Sequence, residues 1–276
     1  YDHSMTNDFD TWFEKSLKTL MYNRNQRVWS IIVTIFGDLA RAPGDQISGV
    51  LLSRIMDPMG IKPEAIRVAL HRLRQDGWIA SERAGRSSLY SLTPHGLAQS
   101  QAARSRIYTR APVYPEKWHL TILESGQSKG RTKVGKNLRH QGFFKIAPGV
   151  FLGSNPATAI EESFNLHVEP LLVPNWLKAK IGSDDTNKTY QEFEEALDAF
   201  AGLMETAPAL NPVRIATLRT IIVHIWRRAL FSHPDLPSGF FNGNWRGTAC
   251  RAKVLDRLDR LGRPELETLH RSKPAA

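Results

Sequence analysis

Hydrophobic residues in the first part of the chain are spaced as in helices over four segments, then as in a β-hairpin, and then again as in a helix. Four segments repeat apolar residues every three or four positions, which predicts four helices. These segments are 9–21, 27–39, 46–56 and 63–76. Two short extended segments, 78–83 and 88–92, predict a hairpin with Gly85 at its tip, and a further helix is predicted at 93–108.

After residue 110 the pattern changes. Segment 111–115 contains two prolines, which resist the interior of helices and strands, and is predicted to be a linker. Six segments then follow in the order β-α-β-β-α-β, the plan of the ferredoxin-like fold. They lie at 118–123, 129–140, 143–146, 150–152, 156–164 and 166–173. Three long helical patterns come last, at 190–204, 213–230 and 248–261.

These patterns predict an α+β chain with three consecutive domains. Residues 1–110 would form a winged helix-turn-helix with an additional N-terminal helix, and residues 116–175 a ferredoxin-like domain that supports dimerisation. Residues 176–276 would form a helical C-terminal domain for an effector or for dimerisation. A length of 276 residues is typical of two or three domains.

The charge of the chain narrows the choice of partners. The formal net charge is +10, which favours nucleic acid, anionic lipid or phosphate-rich ligands without choosing among them. No apolar run reaches the length of a membrane-spanning helix and no signal peptide opens the chain, so we expect a cytoplasmic protein without a membrane partner. Cys250 is the only cysteine, which excludes an intramolecular disulfide and the usual cysteine zinc sites.

The helix predicted at 63–76 separates apolar from charged positions. Its apolar residues share one face and would pack against the earlier helices. Arginine can donate two hydrogen bonds to guanine, and lysine and arginine also neutralise phosphate. We therefore expect a double-stranded DNA operator as the partner, although a solvated basic face is the alternative for any single arginine. The expected DNA-binding residues are Lys62, Glu64, Arg67 and His71 near base edges, Arg72 and Arg74 at phosphates, and Arg83 and Arg86 in the hairpin.

A series of short segments covers nearly the whole chain from about Arg27. They are Ile35-Phe-Gly-Asp38, 60–78, 85–93, Gly142-Phe143, 148–152, 218–228, Asp235-Leu-Pro237 and Asn244-Trp-Arg-Gly247. Together they resemble the repressor family of phenylacetic acid degradation operons (PaaX). The resemblance implies a homodimeric transcriptional repressor of an aromatic-acid catabolic operon. It also implies release from DNA by an aryl acyl-coenzyme A, which is phenylacetyl-CoA in the namesake members.

The C-terminal part of this resemblance is rich in arginine and tryptophan. Arginine binds phosphates such as those of coenzyme A with two hydrogen bonds, and aromatic rings can stack on adenine. We therefore expect effector contacts from His224, Arg227, Arg228, Trp245 and Arg246. Interdomain salt bridges and core packing are the alternative roles. Ser232-His233 and Gly243-Asn244 depart from the family pattern, so a regulator with an unrelated effector stays open.

No pattern predicts an enzyme, a cofactor or a metal site. The ferredoxin-like order is similar to that of small endoribonucleases of CRISPR adaptation, which hold a metal with an aspartate at the end of the first strand. Segment 118–123 contains no acidic residue, and Glu124 is the nearest one. A metal-dependent nucleic-acid-processing enzyme is the alternative from another class, and a regulator that binds only protein partners is a second.

Overall fold

The described part of the chain consists of helices and two small antiparallel sheets, so the predicted α+β class is confirmed. The structure is a computed structural model. It describes residues 2–22, 27–85, 87–114, 117–124, 129–154, 157, 163–168 and 172–272. Within these ranges, every helix falls short of the length and apolarity that crossing a lipid bilayer requires.

The helices and strands follow one another as most of the sequence patterns predict. The helices are α1 (Asp2–Leu20), α2 (Val28–Leu39), α3 (Gly49–Met56), α4 (Pro63–Gln75), α5 (Pro94–Tyr108), α6 (Lys129–His140), α7 (Asn175–Ile181), α8 (Asp184–Met204), α9 (Pro212–Leu230), α10 (Gly247–Leu261) and α11 (Leu266–Arg271). The strands are β1 (Gln46–Ser48), β2 (Ile79–Ala84), β3 (Ser87–Leu92), β4 (Trp118–Leu123), β5 (Phe144–Ala147), β6 (Val150–Gly153) and β7 (Ser163–Val168). The N-terminal helix begins earlier than predicted, at Asp2.

The chain divides into two compact units. The first unit consists of Tyr1–Arg110, Thr189–Leu230 and Gly247–Ala276, and the second of Ala111–Lys188 and Phe231–Arg246. These units differ from the three consecutive domains expected from the sequence, because most of the expected C-terminal domain belongs to the first unit.

Helix α9 explains why the first unit is built from separate stretches of chain. Every residue from 216 to 226 is buried. A helix that is buried on all sides needs neighbours all round it. Helices from both ends of the chain supply them, since α1, α2, α3, α5, α10 and α11 all contact α9. The C-terminal helices therefore share one core with the N-terminal ones.

A three-stranded antiparallel sheet in the order β1-β3-β2 belongs to the first unit. Residues 46–48 were expected to begin a helix but form β1, because they pair with β3. Helix α3 starts directly after them, and the Ser48 side chain caps it by accepting a hydrogen bond from Leu51 N at 3.1 Å. Strands β2 and β3 form the predicted hairpin, with Ala84 opposite Ser87 as the last pair.

The second unit contains a four-stranded antiparallel sheet in the order β5-β6-β4-β7. Trp118 and Leu152 on one face pack with Leu177 of α7. On the other face, Phe151 packs with Leu138 of α6. Each face of the sheet thus has a small apolar core of its own.

The segment before β7 differs from the sequence prediction. A helix was expected at 156–164, but Ser163 and Phe164 belong to β7, where they pair with Leu123 and Ile122 of β4. Most of the remaining expected helix lies outside the described residues. Strand β7 therefore begins before the strand predicted at 166–173, and it is described as far as Val168.

A buried ion pair connects α2 to α9 in the first unit. Arg219 Nε and Nη2 each donate to one carboxylate oxygen of Asp38, both at 2.9 Å. Arg219 Nη1 donates to the carbonyl oxygens of Leu258 (2.8 Å) and Gly262 (3.0 Å). Tyr108 Oη donates to Asp38 Oδ1 at 2.8 Å. The pair thereby joins α2, α5, α9 and α10.

Candidate nucleic-acid interface

Helix α4 has one fully apolar face. Ile66, Ala69, Leu70 and Leu73 are buried on it and pack α4 against α2, α3 and β2. The helix begins after Lys62, which has an extended backbone conformation, and Pro63 occupies its first position, where a missing N–H costs nothing. The sequence therefore fixes both the start of α4 and the face that it buries.

The opposite face of α4 is exposed along its length. At 100° per residue, four exposed side chains lie directly opposite the buried ones: Glu64, Val68, His71 and Gln75. Exposed Arg67 and Arg74 lie along one flank of this stripe, and exposed Arg72 lies along the other. The face thus has a mixed polar and apolar centre between two basic edges.

Local contacts orient two of the flanking arginines. Arg67 Nη2 donates to Glu64 Oε1 at 2.6 Å. The guanidinium of Arg72 lies over the Trp29 ring at 5.8 Å and its Nε lies 3.5 Å from Asp76 Oδ2. Such exposed ion pairs contribute only about 0–1 kcal/mol, so a phosphate can replace the carboxylate at little cost.

The hairpin adds further basic residues at the end of β2. Arg83 is exposed and pairs across the hairpin with Ser88. Gly85 has φ +59°, a left-handed conformation that favours glycine and suits a tight tip. Arg86 lies outside the described residues.

Six of the predicted DNA-binding residues are exposed at α4, five of them on the helix and Lys62 directly before it. They are Lys62, Glu64, Arg67, His71, Arg72 and Arg74. The sequence reasoning missed Val68 and Gln75, which lie on the same stripe. Helical spacing alone could have found them, since both lie opposite the buried face of the helix.

Two of the expected effector residues are engaged inside the first unit. His224 is 1% exposed, and its Nδ1 lies 3.3 Å from Thr34 Oγ1 on α2. Arg227 Nη1 donates to the same oxygen at 3.2 Å, and its Nη2 donates to Ser30 Oγ at 2.8 Å. Burial, with a smaller contribution from the charges of Arg227 and Arg228, lowers the pKa of His224 to about 3. The imidazole is therefore neutral at physiological pH.

The other three expected effector residues lie in different surroundings. Arg228 is exposed on α9. Trp245 belongs to the second unit, where it stacks on Phe241 with ring centroids 4.0 Å apart and meets the edge of His233 at 4.9 Å. The backbone N–H of Arg246 donates to Asn187 Oδ1 at 3.0 Å. The five residues are thus divided between the two units.

The described part of the chain was expected to lack a metal site, and Glu124 was the one acidic residue considered for such a role. Glu124, the acid nearest to β4, is exposed directly after that strand. Among the residues that the structure describes, no three or more histidine, cysteine, aspartate or glutamate side chains form a group able to hold a metal.

The chain belongs to the PaaX-like protein family. The family profile described as PaaX-like protein matches residues 27–96, and the one described as PaaX-like protein C-terminal domain matches residues 182–266. Together the two profiles cover more than half of the chain. The first match includes all helices and strands that build the candidate interface. The family resemblance found in the sequence is therefore confirmed.

Individual relatives extend over most of the chain. A protein of Escherichia coli (strain K12) described as transcriptional repressor PaaX is 26% identical over 251 residues, which is 84% of this chain and 79% of that protein. Among solved structures, the uncharacterized protein Rv0674 from Mycobacterium tuberculosis is 19% identical, with a TM-score of 0.48. That match covers 87% of this chain and 96% of that one.

Proposed function

We propose that the protein is a DNA-binding transcriptional repressor that inserts α4 into the major groove of its operator. The observation that carries this proposal is the exposed face of α4, with basic residues on both flanks and exposed polar and apolar side chains between them. A helix fits the major groove, and flanking arginines neutralise the phosphates on either side. The similarity to a transcriptional repressor supports the same function.

The arrangement of elements around α4 supports a winged helix-turn-helix. Helices α2, α3 and α4 are followed by the β2–β3 hairpin, and β1 adds to the sheet in the order β1-β3-β2. In this layout α4 is the recognition helix and the hairpin is the wing. In the second unit, the antiparallel order β5-β6-β4-β7 supports a ferredoxin-like layout.

DNA binding is tested with the duplex upstream of the protein's own coding sequence. Fluorescence anisotropy would compare the wild type with Arg67→Ala and Arg74→Ala, each at several salt concentrations. We expect each change to weaken binding. Where the arginine contacts phosphate, the slope of log K against log salt should fall by about one. A variant with Arg260→Ala on α10 removes the same charge outside α4 and serves as the control.

The outcomes separate the alternatives. Equal losses in all three variants would mean that net charge, rather than the α4 face, governs binding. Unchanged affinity in both α4 variants would overturn the proposal and favour a regulator that binds only proteins. Cleavage of the duplex in the presence of Mg²⁺ or Mn²⁺, abolished by Glu124→Gln, would favour the nuclease alternative.

We further propose that the repressor acts as a homodimer, which would present two α4 helices to a near-palindromic operator. The exposed side chains of β7 support an interaction surface in the second unit. Phe164 is 62% exposed on this strand, at one end of the described sheet. Analytical ultracentrifugation should show a wild-type dimer that Phe164→Glu weakens, and a wild-type monomer bound to its operator would contradict this.

The proposed signal is an aryl acyl-coenzyme A that favours the conformation unable to bind DNA. The family resemblance supports it. The exposed position of Arg228 in the first unit and the aromatic group around Trp245, which directly precedes Arg246, in the second unit are two separate candidate positions for effector contacts. His224 and Arg227, by contrast, would have to exchange their contacts with α2 to reach a ligand.

The effector is tested by titrating phenylacetyl-CoA, acetyl-CoA and free coenzyme A into the protein–DNA complex. We expect release by the aryl ester at the lowest concentration. Loss of a charged hydrogen bond in Arg228→Ala should raise that concentration by about tenfold or more. Failure of every ester to release the DNA would leave the repressor with an unrelated effector.

A further inference from the structure

We propose that Val68 reads the 5-methyl group of a thymine in the operator and so determines sequence specificity at that base pair. The inference rests on the proposed function, since it requires α4 to lie in the major groove. It names a further DNA contact, between Val68 and one particular base. All DNA contacts expected from the sequence are polar or charged, so this apolar contact is not among them.

The exposure of Val68 is the first observation. Val68 is 70% exposed at the centre of the α4 stripe, with Glu64 one turn before it and His71 one turn after it. The packing of α4 uses only the opposite face, so the fold gains almost nothing from this side chain. A β-branched residue also has a lower helix propensity than alanine. The local structure therefore gives no reason for an apolar branched side chain here.

The surroundings of Val68 indicate what covers it. Arg67 and Arg74 on one flank and Arg72 on the other carry positive charge along both edges of the stripe. When these edges meet the two phosphate backbones, the centre of the stripe faces the floor of the groove. The occupant that matches this charge distribution is a DNA duplex, and what lies opposite Val68 is a base edge.

The chemistry of the groove floor selects one base. In the major groove, guanine, adenine and cytosine present hydrogen-bond donors and acceptors, whereas thymine also presents a methyl group. A valine side chain offers no hydrogen bond, so covering polar base edges would leave their donors or acceptors unpaired. Contact with the thymine methyl group instead removes apolar surface of both partners from water.

The test removes the two methyl-bearing partners separately. Each thymine of one operator half-site is replaced in turn by deoxyuridine, which lacks only the methyl group. Affinity is then measured for the wild type and for Val68→Ala. At one thymine, we expect deoxyuridine to lower the affinity of the wild type by about fourfold, the value for burial of one methyl group. Val68→Ala should bind the unmodified operator more weakly and be indifferent to deoxyuridine at that position.

A matched control and a second readout exclude a purely structural effect. Val50 is 60% exposed on α3, so Val50→Ala makes the same change in another helix and should keep the full deoxyuridine response. Val68→Ala should also keep the salt slope of the wild type, because it removes no charge. Its thermal stability should be equal or slightly higher, since alanine is the better helix former.

The possible results distinguish this inference from the function on which it rests. If Val68→Ala keeps the deoxyuridine response of the wild type at every thymine, the inference is overturned while repressor function stands. The same holds if specific binding is indifferent to every thymine methyl group. If the wild type shows no specific binding to its upstream DNA, the proposed function fails and the inference falls with it.

Discussion

The buried Asp38–Arg219 pair offers the sharpest test of how the first unit is held together. We consider Arg219→Met, which keeps most of the length of the side chain but removes its charge and donors. The change removes both hydrogen bonds to Asp38 and leaves two carbonyl oxygens, those of Leu258 and Gly262, without this donor. Asp38 keeps Tyr108 and Arg41 as partners, with Arg41 Nη2 at 3.1 Å.

The expected cost follows from the burial of the pair. The side chains of Arg219 and Asp38 are 4% and 0% exposed, so water cannot replace the lost contacts. Removal of one partner of such a pair costs about 3–5 kcal/mol, because the other charge stays buried and less well paired. For a cooperative unit of roughly 150–250 residues, this corresponds to a fall of about 6–20 °C in Tm.

The loss of stability in Arg219→Met should depend on pH in a defined direction. Burial alone raises the pKa of Asp38, but the hydrogen bonds and charge of Arg219, aided by Tyr108 and Arg41, hold that pKa below its ordinary value. In the wild type, Asp38 is therefore ionised in both folded and unfolded protein above about pH 4, and its stabilising contribution is lost only in stronger acid. Without Arg219 the effect of burial dominates, so the folded variant takes up a proton on mild acidification and the destabilisation shrinks.

Urea unfolding of both proteins at pH 7.5 and pH 5 measures these differences. Arg219→Lys keeps the charge but loses the two-pronged geometry, and we expect an intermediate cost. The double variant Asp38→Leu, Arg219→Met should cost less than the sum of its single changes, because no charge is left buried. Three results together would refute the reasoning: Arg219→Met costs less than about 1 kcal/mol, this cost is the same at both pH values, and it is additive with that of Asp38→Leu.

Three further predictions concern single positions in the first unit. Because the pKa of buried His224 is about 3 and that of an unfolded histidine about 6.5, the unfolded state binds more protons below pH 6.5. Between pH 6.5 and pH 5, the free energy of unfolding of the wild type should thus fall by about 2 kcal/mol more than that of His224→Gln. An equal change with pH in both proteins, measured by urea unfolding, would contradict this. A Cβ at Gly96 would lie 2.2 Å from Trp78 O, so Gly96→Ala should destabilise by about 1–3 kcal/mol. Gly202→Ala, with no atom within 4 Å, should stabilise by about 0.5–1 kcal/mol; thermal unfolding in the opposite order would disprove the steric argument.

Local patterns allowed α4 to be predicted from the sequence. Its apolar residues recur at helical spacing, and Pro63 and Gly77 mark its two ends. The same spacing also determines which side chains are exposed, so the candidate interface follows directly. Val68 was not among the predicted contacts, because its side chain carries no charge and forms no hydrogen bond.

Strand β1 shows where local reasoning fails. Gln46-Ile47-Ser48 fits the apolar spacing of the following helix as well as that of a strand. This segment forms a strand because it pairs with Leu89, Tyr90 and Ser91, which lie more than forty residues later in the chain. The same holds for Ser163 and Phe164 of β7, which were expected in a helix but pair with Leu123 and Ile122 of β4. Such long-range pairing leaves no trace in a local pattern.

The two compact units differ from the three expected domains for a related reason. The helical spacing of α9 is clear. Most of its residues are buried, however, so the spacing does not identify one apolar face that would show which part of the chain α9 packs against. A helix of this kind can belong to a separate C-terminal core or complete an N-terminal one. Only the positions of its neighbours decide, and these come from both ends of the chain.

The role of α2 follows from these contacts. Its apolar face packs on α4, which carries the candidate DNA-reading stripe. Its polar side chains all turn to α9: Ser30 and Thr34 meet Arg227 and His224, and Asp38 meets Arg219. Buried polar contacts of this kind permit few alternative positions, because each displacement leaves a donor or acceptor unpaired. The position of α4 relative to α9 is therefore set through α2, so α9 supports the candidate DNA-binding surface although it contributes none of the residues named on it.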